Sequence, residues 1–176
     1  MDYQILKNII DLQSGIFEKI SDNDWNYKFS SEKWSKKEIL GHLCDSAFTN
    51  IRRFIITQYK EKENIVYDQN FWVKAQNYQD IPVKNIIDLW KSLNLQIINI
   101  VENIPDDKLQ RMCDMTKTEK QCFTLEFIIR DYVDHLQHHL KAINKNKKKK
   151  TETSNIHHNN YLLLICHMQY LIIYQL

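Results

Sequence analysis

Two glycines and two prolines are all that 176 residues contain of the two strongest turn-formers. A sheet of many strands needs such residues at its reversals, so their scarcity favours long helices. The apolar spacing agrees. Ile5, Ile9, Ile10, Leu12, Ile16, Phe17 and Ile20 recur at helical intervals and predict a first amphipathic helix over residues 3–20, followed by a loop from Ser21 to Lys33. Ser35-Lys36-Lys37-Glu38 spells a capping box, in which the serine hydroxyl accepts from the Glu38 amide and the carboxylate reaches back. A second helix therefore starts there, with Ile39, Leu43, Ala47, Ile51 and Phe54 on its stripe and His42, Ser46 and Asn50 beside it at i, i+4 and i+8. Pro82 suits the first turn of a third helix with Ile86, Trp90, Leu93, Ile97, Ile100 and Ile104 on its apolar face, and Pro105 ends it. Thr124 can cap a fourth, in which Leu125, Ile128, Ile129, Tyr132, Leu136, Leu140 and Ile143 face inward.

Between the second and third helices, Glu61 to Asp80 lacks sustained periodicity but carries Tyr67, Phe71, Trp72 and Tyr78, which suggests a long connection with a short helix over a site. Four apolar-striped helices with one long link predict an all-α four-helix bundle with non-alternating helix directions, occupying residues 1–144. Residues 145–176 read as a separate lysine-rich linker and an atypical apolar tail beginning at Tyr161. That tail contains His167 and Gln169 and falls short of the ~20 residues a spanning helix requires. It is open between an appended packing helix and an extension with no part in the fold.

The net charge of +2 comes from a basic excess concentrated at Lys145 and Lys147 to Lys150. A nearly neutral remainder gives no electrostatic reason to expect nucleic acid as a partner. Cys44, Cys113, Cys122 and Cys166 form no C-x-x-C pair, and the start of the chain lacks an export signal, so free thiols in the cytoplasm are expected.

The chemistry-bearing feature is Asp134-His135-Leu136-Gln137-His138-His139. His135 and His139 lie one helical turn apart on the same face, where two imidazoles can chelate one ion. That pair alone fixes neither metal nor function. A third ligand has to come from elsewhere, and His42 borders the buried stripe of the second helix, whereas His157, His158 and His167 fall in the tail. His138 is turned away from the Tyr132, His135, His139 line and is expected at the surface. Core histidines satisfied by neighbours are the bland reading, but three buried together without metal would each cost ~1–3 kcal/mol for an unpaired group. Asp45, Asn50, Asp131 and Asp134 could orient the imidazoles or be solvated helix charges. Cys44 reads as a small core residue, and Tyr67 and Trp72 either line the pocket or anchor the loop.

The stretch from Trp34 to Ala47, W-S-K-K-E-I-L-G-H-L-C-D-S-A, followed by Arg53-Phe54, resembles the second-helix signature of the DinB-like superfamily. D-Y-V-D-H-L-Q-H-H-L, from Asp131 to Leu140, resembles its fourth-helix motif, and the pair is closest to the YfiT-like branch of metal-dependent hydrolases. The resemblance covers residues 1 to about 144. It implies an up-down-down-up bundle, frequent dimers, and a divalent metal, commonly zinc or nickel, on His42, His135 and His139. It also implies a small-molecule substrate and, from relatives that use bacillithiol, mycothiol or glutathione, a low-molecular-weight thiol cosubstrate.

Three imidazoles leave a coordination position open, as catalytic sites do. A thiol or a water activated there would support S-transfer or hydrolysis. The rival readings are a non-catalytic, metal-stabilised bundle that binds a small molecule or protein, and a membrane-associated adaptor that uses the tail.

Overall fold

The computed structural model describes residues 3–145. The tail foreseen from Lys145 onward lies, from residue 146, outside the described residues. Six helices and one hairpin follow in order: α1 (Tyr3–Phe17), α2 (Asp22–Asn26), α3 (Lys36–Ile56), α4 (Gln69–Gln76), α5 (Val83–Glu102), β1 (Met112–Asp114), β2 (Cys122–Thr124) and α6 (Leu125–Asn144). Helices α1, α3, α5 and α6 form an up-down-down-up four-helix bundle. The helix α3 packs on both α5 and α6, while α1 packs on α5.

The central place of α3 shows in its burial. Fourteen of its 21 residues are buried, too many for a one-sided surface helix. Its start is fixed as the sequence predicts: Glu38 N donates to Ser35 Oγ at 3.1 Å, and Ser35 N donates to a Glu38 carboxylate oxygen at 2.8 Å. Thr124 likewise opens α6, its Oγ1 accepting from Phe127 N at 3.2 Å. Pro82 stands one residue before α5, a difference within the usual uncertainty of helix ends.

Three features differ from the sequence expectation. First, α1 stops at Phe17, after which Lys19 and Ile20 close i→i+3 turns. Its buried positions are Leu6, Ile10, Gln13 and Phe17, while Ile5 and Leu12 are 45% and 65% exposed. The apolar surplus on this helix allowed either stripe. Second, the segment expected as a loop holds α2, capped by Ser21 and held by buried Trp25, whose ring meets Phe17 edge-on at 5.5 Å. Five residues are too few to show a helical period. Third, β1 and β2 pair antiparallel, Met112 opposite Thr124 and Asp114 opposite Cys122. Three-residue strands carry too little alternation to be read. Asp114 also exchanges backbone hydrogen bonds at 2.9 Å with Glu63 and Ile65, so the hairpin ties the long link to the start of α6.

That link contains the expected short helix, α4, opened by Asp68 and closed by Asn77 in the left-handed region at φ 50°. A single 3₁₀ turn, Tyr78–Asp80, follows. The Tyr78 ring lies directly on the backbone of α3 at Gly41, where a Cβ would collide with it. Lys37 Nζ donates to Gln79 O at 2.6 Å and fastens the same turn. In the core, Tyr132 of α6 donates to Asn94 Oδ1 of α5 at 2.6 Å, and Asn94 in turn donates to Trp90 O at 2.8 Å. Burying side chains such as Trp90, Phe54 and Leu43 stabilises by ~1.5–3 kcal/mol each. No helix among the described residues is long and apolar enough to cross a membrane.

Candidate metal centre

On α6 the inward stripe runs through Ile128, Ile129, Tyr132, Leu136, Leu140 and Ile143, all buried, and His135 falls within it at 1% exposure. His139, one turn on, sits half-buried at the edge of the stripe. Across the interface α3 presents His42 at 0% exposure. The three rings form a near-equilateral triangle: centroids are 5.1 Å apart for His42 and His135, 4.8 Å for His42 and His139, and 4.6 Å for His135 and His139. One ring nitrogen from each lies within 4.8 Å of the others. The closest pair, Nε2 of His42 and Nε2 of His135, is 3.2 Å apart.

The electrostatics suit cation binding. Burial, reinforced by the neighbouring His139, pushes the His42 pKa down to about 3. Burial and then His138 push His139 down to about 4. Burial and the surrounding histidines hold His135 well below the ordinary value. At neutral pH all three rings are uncharged, so each has one bare nitrogen. A tetrahedral ion with nitrogen ligands at 2.0–2.1 Å sets neighbouring nitrogens about 3.3 Å apart, close to the separation of the nearest pair. Donor type, charge state and spacing therefore fit a divalent ion.

Around the triangle, the Trp34 ring lies 4.9 Å from that of His42 and covers it. A cavity of about 720 Å³ opens at His139 and is lined by Trp34, Ile39, Asp68, Lys117 and His138 among others. A second, of about 470 Å³, shares Glu32, Trp34 and Asn70 with the first and runs toward Tyr78. In the sequence Trp34 stands out only as part of a motif; its i−8 placement before His42, across a loop-to-helix join, carries no periodic signal.

The remaining candidates separate cleanly. His138 is exposed, as expected from its rotation. Cys44 is core: its thiol lies 3.7 Å from Ile86 O, and burial followed by the nearby Asp45 raises its pKa. Asp45 turns away from the rings, its Oδ1 accepting from Tyr78 Oη at 2.7 Å and Gln76 Nε2 at 3.3 Å. Asp134 is exposed and is a solvated helix charge. Asn50 joins the site indirectly, through Ser46, whose Oγ lies 3.4 Å from His135 Nδ1. Tyr67 and Trp72 pack on each other at 5.5 Å in the link, and the Tyr67 hydroxyl is buried beside Ser46.

Similarity to known proteins points the same way. YfiT of Bacillus subtilis (strain 168) is 22% identical over 141 residues, covering 80% of this chain and 79% of its own. Its structure, described as that of a probable metal-dependent hydrolase with an unusual four-helix bundle topology, matches with a TM-score of 0.73 over 80% of this chain and 81% of that one. The fold is also shared, at 9% identity and a TM-score of 0.56, with a mycothiol-dependent maleylpyruvate isomerase, of which this chain spans 60% while 80% of its own length is covered. The family model for the DinB superfamily matches residues 6–143, nearly all of the bundle. The chain belongs to the DinB superfamily.

Proposed function

We propose that this protein is a metal-dependent enzyme that holds one zinc or nickel ion on His42, His135 and His139 and turns over a small electrophilic substrate in the cleft at His139. The observation that carries the reading is the convergence of three neutral imidazoles, drawn from two helices, on one buried centre. The ion would supply a nucleophile near neutral pH by acidifying a water or a thiol that reaches it. The protein's own part is positional. His42 and His135 are locked in the bundle interface, whereas half-buried His139 faces the cavity, so a substrate approaches from its side. Trp34 shields the His42 ring from solvent and walls the cleft.

Metal content tests the centre. Elemental analysis should give near-stoichiometric metal in the wild-type protein and strong depletion in each of His42→Ala, His135→Ala and His139→Ala. A chromogenic ester, assayed beside an aryl halide with added thiol, separates hydrolysis from S-transfer. Activity in neither arm, or activity that survives chelation, would overturn the enzymatic reading.

A further inference from the structure

Ser46 stands one turn beyond His42 on α3 and is 2% exposed. Its Oγ lies 3.4 Å from Nδ1 of His135, the nitrogen not shared with His42. The hydroxyl is itself held. Asn50 Nδ2 lies 3.0 Å from Ser46 O and 3.4 Å from Ser46 Oγ. The amide of Asn50 cannot be flipped, because its Oδ1 faces Arg53 Nη1 at 3.4 Å and a guanidinium has only donors. Arg53 is fixed in turn, Nε and Nη2 donating to Ile65 O at 3.0 and 2.8 Å. Ser46, Asn50 and Arg53 thus form a buried row along α3 that ends on His135.

With Nε2 of His42 only 3.2 Å from Nε2 of His135, Nδ1 is the nitrogen of His135 turned from the histidine triangle toward α3. A ring that offers its Nε2 lone pair to an ion carries its proton on Nδ1, and a serine hydroxyl oxygen can accept that proton.

We infer that Ser46, braced by Asn50 and Arg53, is the positioning residue of His135: its hydroxyl stands against Nδ1 and holds the ring with Nε2 toward the common centre. Metal-binding histidines generally give their second N–H to such a partner. The consequence for affinity rests on the metal-centre reading; the orientation of the ring does not.

Nitrogen-15 NMR of histidine-labelled, metal-free protein is the first test, with far-UV circular dichroism confirming that each variant is folded. His135 should give a single set of ring signals in the wild type and in Ser46→Thr, and broadened or doubled signals from a reorienting ring in Ser46→Ala. Zinc affinity, measured by competition with a chromophoric chelator, should fall roughly 10–100-fold in Ser46→Ala and stay near the wild-type value in Ser46→Thr. A wild-type His135 ring that already reorients, or a Ser46→Ala protein that keeps both the single set of signals and the affinity, overturns the assignment. A wild type that takes up no zinc overturns the metal centre instead, and the ring signals alone then decide the role of Ser46.

Discussion

Two buried polar clusters flank α3, and they differ in the kinds of group they bring together. On the side of α4, Asp45 meets donors: Tyr78 Oη at 2.7 Å and Gln76 Nε2 at 3.3 Å. On the side of α6, His42 meets His135 and His139, three groups of one kind with no carboxylate among them. Burial shifts both clusters toward the uncharged form, the Asp45 carboxyl up to about 6 and the His42 and His139 rings down to about 3 and 4. One acceptor oxygen that meets two donors makes a contact that holds two elements together, even with the other oxygen, Oδ2, buried without a partner. Repeated copies of one lone-pair donor around one point suit a cation, and that redundancy distinguishes a candidate site from a structural contact.

The largest effect that would sharpen this contrast is ligand-linked stabilisation. Zinc at about 100 times its dissociation constant should raise the unfolding free energy by ~2.7 kcal/mol, since an ion that binds only the folded chain shifts the equilibrium by mass action. Thermal melts with and without zinc should show the gain in the wild type and in Asp45→Asn, and none in His135→Ala. Equal gains in all three would mean that zinc binds elsewhere.

Next in size is Gly41→Ala. A new Cβ would strike the Tyr78 ring and dislodge the hydroxyl that Asp45 accepts. Overpacking together with the lost hydrogen bond outweighs the ~1 kcal/mol that alanine gains in a helix, for a net loss of about 2 kcal/mol. Denaturant melts should register that loss while metal content per folded protein stays at the wild-type level. Loss of metal as well would couple the two faces of α3 and break the comparison.

The pH dependence is a finer probe, because the clusters pull in opposite directions over one window. His42 and His139 titrate below the ordinary value of 6.5 in the folded chain, so between about pH 6.5 and pH 4 the unfolded chain binds more protons. Their contribution to stability is complete above that window and is lost on acidification. Asp45 titrates at about 6 against a usual 3.8, raised chiefly by burial, so over nearly the same range the folded chain binds the extra proton and gains stability as pH falls. Metal-free wild type should therefore lose stability from pH 7 to pH 4.5, and Asp45→Asn, lacking the opposing contribution, should lose it more steeply. A shallower slope in the variant would reverse the sign assigned to Asp45.

The histidine face was more legible in the sequence than the aspartate face, and the reason is physical. His135 and His139 are joined by helical spacing, and His42 follows the capping box of Ser35 and Glu38 by a fixed count, so both are local facts. Asp45 and Tyr78 meet only because a long link folds back onto a helix that lacks a side chain at Gly41, which no spacing encodes. The same holds for the hairpin from Met112 to Thr124 and for α2, whose elements are too short to carry a period and are held by contacts with Glu63, Ile65 and Phe17. Trp34, which covers His42, has no periodic signature as a site residue because it precedes the helix whose histidine it shields.

The smallest expected effect is also the strictest test of direction. His138 is as near to His135 along the helix as any i, i+3 neighbour, and its ring lies 5.2 Å from that of His139 at 87°. Proximity alone would make it a ligand. What removes it is rotation: one residue is about 100° of helix, and that turns His138 out to solvent at the mouth of the cavity while His139 faces His42. His138→Ala should change stability by no more than about 0.5 kcal/mol, as exposed substitutions do, and leave metal content at the wild-type level. If elemental analysis instead found it as depleted as His139→Ala, the ion would be drawn toward the surface ring, and the buried triangle of His42, His135 and His139 would not be its seat.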